Sequence, residues 1–94
     1  MTVLIDSPAW PAHGTFFSHL VSDHSLDELH AFAEANGVPP RAFDLDHYDV
    51  PAARYDSLVV AGALPVTGRE LVVRLRASGL RVRGRDRAPH EGRR

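Results

Sequence analysis

Two four-residue patterns, Ser25-Leu-Asp-Glu28 and Thr67-Gly-Arg-Glu70, constrain this chain more than any other feature. In each, a hydroxyl precedes a carboxylate by three positions. The side-chain oxygen can accept from the Glu N–H while the carboxylate reaches back to the first N–H, which starts a helix. Leu26, Leu29 and Ala33 recur on one face after the first pattern, with Phe32 beside them, and Leu71, Val72 and Leu75 follow the second. Gly37 and Gly79 supply left-handed ends, and Pro39-Pro40 prevents the first helix from resuming. A third helix is expected after Pro51, whose missing N–H costs nothing in a first turn. Tyr55, Leu58 and Val59 form its buried stripe, and Gly62 ends it.

The remaining apolar runs are short. Thr2–Ile5 reads as a strand buried on both faces and stops at Asp6. Phe16–Val21 fits a helical face or a strand, and its length and β-rich content favour the strand. A weaker extended segment covers Ala42–His47, and Ala63–Val66 forms a short strand that Pro65 confines to an edge or an irregular end. Pro8, Pro11 and Gly14 make the stretch from Ser7 to Gly14 irregular, and Leu80–Arg83 adds a last extended piece. Strands alternating with helices predict an α/β fold: a small, at least partly parallel sheet of three to four short strands with three helices. Residues 1–83 read as a single domain without repeats or linkers, and residues 84–94 as a disordered Arg-rich tail.

Charge is unevenly distributed. Through residue 80, five arginines face ten carboxylates, a net −5; from residue 81, six arginines face two carboxylates, a net +4. An acidic body repels phosphate, so the tail reads as a solvated terminus before it reads as a nucleic-acid arm. The absence of cysteine excludes disulfides, thiolate metal sites and thiol nucleophiles, and suits the cytoplasm. The N-terminal residues have neither the basic charge of a signal peptide nor the apolar length of a membrane span.

Polar residues gather at the ends of the expected strands: Asp6 after the first, Asp23 after the second, His47 and Asp49 after the third, with His19 four residues before Asp23. If these strands are parallel, the residues share one rim, where open α/β sheets bind ligands. The set suits Zn²⁺ or Mn²⁺, and its carboxylates alone suit Mg²⁺. In this arrangement His19, His47 and Asp49 hold the metal, Asp6 binds it or orients a water, and Asp23 supports a histidine. Each carboxylate also has a local alternative: an Asx-turn at Asp6, the turn before Ser25 at Asp23, and the cap of the second helix at Asp49. Trp10 and His13 lie on a Pro-flanked loop able to cover the rim, with Trp10 anchoring that loop to the core or stacking on a base or sugar. Tyr48, next to His47 on an extended segment, points to the other face. His30 is a half-buried helix residue paired with Asp27 or Glu34. No G-x-G-x-x-G, H-E-x-x-H or G-x-S-x-G spacing occurs.

An ordered set of short motifs runs through the body: D-x-P-x-W (Asp6 to Trp10), H-G (His13-Gly14), S-H-L-V-S-D (Ser18 to Asp23), E-L-H-A-F-A (Glu28 to Ala33), F-D-x-D-H-Y-D-V (Phe43 to Val50) and G-A-x-P-V-T-x-R-E-L (Gly62 to Leu71). This set resembles domain-of-unknown-function family 4031, a group of short bacterial and phage proteins. The resemblance covers about residues 2–80 and implies that the body is a whole family domain. It carries no activity, and the Arg-rich tail is no part of the pattern.

Two functions fit these residues. One is a metal-assisted hydrolase acting on a phosphoester or nucleic acid. The other is a non-enzymatic module binding a protein, a nucleic acid or a nucleotide.

Overall fold

The computed structural model describes residues 2–82. The strands are β1 (Val3–Asp6), β2 (Trp10–Ala12), β3 (Thr15–Ser22), β4 (Phe43–Asp44), β5 (His47–Pro51) and β6 (Leu64–Val66); the helices are α1 (Leu26–Ala35), α2 (Tyr55–Val60) and α3 (Gly68–Ser78). One sheet runs in the order β4-β5-β3-β1-β6, with β2 beside the first half of β3. Among the described residues only β1 and β6 pair in parallel; β3 is antiparallel to β1, β2 and β5, and β4 is antiparallel to β5. The α/β class, the three helices and the partly parallel sheet are as the sequence predicts. The described residues hold six strands rather than three to four, and the expected disordered tail lies outside them.

Local chemistry accounts for the elements. Ser25 Oγ accepts from the Glu28 N–H and Thr67 Oγ1 from the Glu70 N–H, each at 3.0 Å, so the hydroxyl half of both expected caps is formed; at the first, the Ser25 N–H donates to Ser22 Oγ, which donates in turn to Glu28. Gly79 closes α3 at φ 83°, in the left-handed region. Pro65 lies on β6, an edge strand, where its missing donor goes unneeded.

The sheet is covered on both faces because alternate residues of β1 point opposite ways. Val3 and Ile5 join Leu20, Tyr48 and Val50 against Leu29 and Ala33 of α1 and Leu58 of α2. Leu4 joins Val21 against Leu71 and Leu75 of α3. Truncating one of these leucines to alanine costs about 2–5 kcal/mol. On the α3 face of β3 the apolar row ends at Val21, and the next residue of that row is His19.

Three local expectations are corrected. The Pro-rich stretch Ser7–Gly14 is not wholly irregular: Trp10–Ala12 form β2, which pairs only with β3 and therefore tolerates Pro11. His13 (φ 49°) and Gly14 (φ 79°) make the two-residue turn into β3, both with the positive φ that matches strand twist. Pro51 does not lie in the first turn of a helix. It pairs with Phe17 as the last residue of β5 and precedes a 3₁₀ turn at Ala52–Arg54, so α2 starts only at Tyr55. Of the expected extended piece Leu80–Arg83, residues 80–82 are no strand and bond elsewhere, and residue 83 lies outside the described residues. No helix among the described residues is long and apolar enough to cross a membrane.

Candidate metal centre

Antiparallel register, rather than a common rim of parallel strand ends, brings the polar side chains together. His19 on β3 is the partner of Asp49 on β5. The β1–β3 register extends from Ile5 and Leu20 to Asp6 and His19, and the His19 N–H donates to Asp6 Oδ1 at 2.6 Å. His47 precedes Asp49 by two residues on β5 and so shares its face. One ligand atom from each of His19, His47 and Asp49 lies within 4.8 Å of the others.

Each imidazole is gripped by a carboxylate. His19 Nδ1 lies 2.9 Å from Asp6 Oδ2, and His47 Nδ1 lies 2.7 Å from Asp46 Oδ1. With Nδ1 so engaged, Nε2 is the nitrogen each ring has left to offer, the arrangement that orients histidine ligands around metals. His47 Nε2 comes within 3.2 Å of Asp49 Oδ1. Asp49 Oδ1 is shielded from solvent and has no hydrogen bond of good alignment among the described residues, so its contact with the His47 ring is an ion pair rather than a well-directed bond.

Asp46, which its spacing in the sequence does not single out, is the best-buried acid of the group, 0% exposed. Besides His47 it accepts from the Val82 N–H at 2.8 Å, and Arg81 approaches at 3.4 Å. Burial works against its charge, but the bonds from His47 and Val82 and the charges of His47 and Arg81 hold it below the usual carboxylate range. Burial also opposes charging of His47. The contacts with Asp46 and Asp49, and the negative charges of both, outweigh it and raise the imidazole to about 9.

The remaining sequence candidates fall around or away from this group. Trp10 is no core anchor: it is 42% exposed and stacks on the His19 ring, centroids 5.6 Å apart and planes 14° apart. His13 is an exposed turn residue, edge-on to Phe17. Tyr48 points to the opposite face, as alternation requires, and hydrogen-bonds His30 at 2.7 Å. His30 thus turns to Tyr48 rather than to Asp27 or Glu34. Asp23 is not brought to the group. It accepts from the Thr2 N–H at 2.9 Å and from Arg74 at 2.7 Å, where β1 begins and β3 has ended. The positions behind the histidines belong instead to Asp6 and Asp46.

Two hollows flank the centre. One, about 150 Å³, is lined by His19, His47, Arg81 and apolar residues of α3. The other, about 360 Å³, lies among Trp10, Phe17, Arg41, Phe43 and Asp49. Two imidazoles and a carboxylate match the three-ligand sets of catalytic zinc sites, which leave a further position for water or substrate. Bonds near 2.1 Å put tetrahedral ligands about 3.4 Å apart. The 3.2 Å between His47 Nε2 and Asp49 Oδ1 already meets that spacing.

No curated protein and no solved structure matches the chain. A family model described as "Protein of unknown function (DUF4031)" matches residues 3–78. The match runs from β1 to the end of α3 and includes Asp6, His19, Asp46, His47 and Asp49; the chain belongs to the DUF4031 family.

Proposed function

We propose that the protein is a cytoplasmic, metal-assisted phosphoester hydrolase in which His19, His47 and Asp49 hold one divalent ion, Zn²⁺ or Mn²⁺ being the best match to a nitrogen-rich set. The observation that carries this reading is the buried Asp49 Oδ1 without an aligned hydrogen bond, set beside two imidazoles whose Nδ1 atoms are already held by acids. In the metal-free protein the His47 ring, 3.2 Å away, offsets this oxygen only through a poorly aligned contact, and a bound cation would complete it. When bound, such an ion lowers the pKa of a coordinated water and polarises a phosphoryl oxygen.

The protein's own residues supply orientation and charge. Asp46 and Asp6 hold Nδ1 of His47 and His19, which leaves Nε2 as the nitrogen each ring would turn to an ion, the ion displacing the Nε2 proton of a charged His47. Arg81 and Arg41 line the hollows on either side, and cations there favour an anionic phosphoryl group over a neutral carbonyl substrate. Trp10 stacks on one face of the His19 ring and helps to fix its orientation.

The test is hydrolysis of bis(4-nitrophenyl) phosphate and 4-nitrophenyl phosphate by tag-free protein with Zn²⁺, Mn²⁺ or Mg²⁺. Turnover should require the ion and disappear in Asp49→Asn. Equal turnover in EDTA, or none on either ester while metal is bound, would overturn the hydrolase reading.

A further inference from the structure

The hollow of about 360 Å³ beside Asp49 differs in character from the one under α3. Three aromatic rings, those of Trp10, Phe17 and Phe43, line it together with the Arg41 guanidinium. Arg41 makes no hydrogen bond or ion pair among the described residues, unlike Arg54, Arg74 and Arg81, each of which is engaged. It is presented from the 3₁₀ turn Pro40–Ala42, where Pro39 and Pro40 limit backbone freedom. Trp10 is stacked on His19 and keeps 42% of its surface exposed. An exposed ring beside an unengaged guanidinium is the pairing by which proteins hold a base and its phosphate.

We propose that this cleft binds a nucleotide unit, its base against Trp10 and its phosphate on Arg41, with Asp49 marking the side where the phosphoester meets the metal centre. The inference rests on the phosphoester reading above and names its substrate class. The volume lies in the range of small-ligand sites. Asp44 and Asp49 also line the cleft, and the charge of Asp49 is the one a bound cation offsets. A second hollow of about 500 Å³ shares His13, Arg41 and Asp49 with the first and continues to Arg54. The groove therefore accepts a nucleotide at the end of a strand as well as a free one, and the experiment separates these sources.

Trp10 is the only tryptophan in the chain, so its fluorescence reports on this cleft alone. The protein is titrated with adenosine 5′-monophosphate, ribose 5-phosphate and a short single-stranded oligoadenylate, in EDTA and in Mg²⁺, with Zn²⁺ affinity measured separately by calorimetry. The base-bearing probes should change Trp10 emission, and ribose 5-phosphate should bind at least about fivefold more weakly. Arg41→Ala, a change at an exposed position, should weaken nucleotide binding about tenfold and leave Zn²⁺ affinity unchanged. Tighter binding of oligoadenylate assigns a strand, and equal binding a free nucleotide; both support the cleft. No response to either base-bearing probe in either condition overturns the inference, as does binding indifferent to Arg41→Ala. Zn²⁺ binding without nucleotide binding overturns this inference alone. Nucleotide binding without Zn²⁺ binding sustains the cleft and overturns the metal centre.

Discussion

Asp46 Oδ1 lies 2.7 Å from Nδ1 of His47, its immediate neighbour in the chain. Adjacent residues within a strand point to opposite faces, so the contact requires Asp46 to stand outside the ladder. It does: Asp44 pairs with His47, and Leu45-Asp46 forms the two-residue turn between β4 and β5. Leu45 takes φ 62°, a left-handed conformation uncommon for a residue with a side chain. That turn folds the Asp46 carboxylate back beneath the imidazole, where Val82 and Arg81 also meet it.

Removing this carboxylate should be expensive. Asp46→Ala leaves the His47 imidazole and the Val82 N–H without their partner and should cost about 3–5 kcal/mol, the range for breaking a buried ion pair from one side. Urea denaturation of the metal-free protein at pH 7 measures it. A loss below about 1 kcal/mol would show that the contact does not hold the turn.

The metal-free protein should carry a charged His47 at neutral pH. Its folded pKa, about 9, stands above the ordinary imidazole value of 6.5. The associated stability is fully present below pH 6.5, falls as pH rises and is gone above pH 9. Titration of the ring signals by NMR should give an alkaline midpoint that Asp49→Asn lowers. A midpoint near 6.5 in the intact protein would contradict the pairing with Asp46 and Asp49.

Much of the framework could be read from the chain because its signals are local. A hydroxyl three residues before a glutamate, a glycine past the last apolar turn and a proline in an edge strand act on their own neighbourhood. Strand direction is not local. The polar residues were expected to meet at the ends of parallel strands, whereas His19 and Asp49 meet as antiparallel partners and Asp6 joins through the β1–β3 register. The same group forms by a different route, and Asp23 stays outside because antiparallel pairing carries the end of β3 toward the start of β1. Asp46 was not legible as a second support: its partners Arg81 and Val82 are 35 and 36 residues away. β2 was hidden by Pro11 within it and Pro8 just before it.

The distant Asp23 gives a control. Burial works against its charge, but bonds from Arg74 and Thr2 and the Arg74 charge lower its pKa. Its contribution is present above the unfolded carboxylate value and lost as pH falls through the lowered one. Arg74→Ala should therefore destabilise the protein by about 1 kcal/mol at pH 7 and by less in acid, with Zn²⁺ affinity unchanged. Parallel denaturation series at the two pH values check the first part, and a change in metal affinity would place Asp23 closer to the centre than the geometry does.

The central claim is that His19, His47 and Asp49 form one ion site, and calorimetric titration of tag-free, metal-stripped protein with Zn²⁺ tests it most directly. One ion per chain is the predicted result, abolished in His47→Ala and Asp49→Asn and weakened about 10–100-fold in Asp46→Asn. No heat with Zn²⁺, Mn²⁺ or Mg²⁺, or full binding retained by His47→Ala, would contradict it.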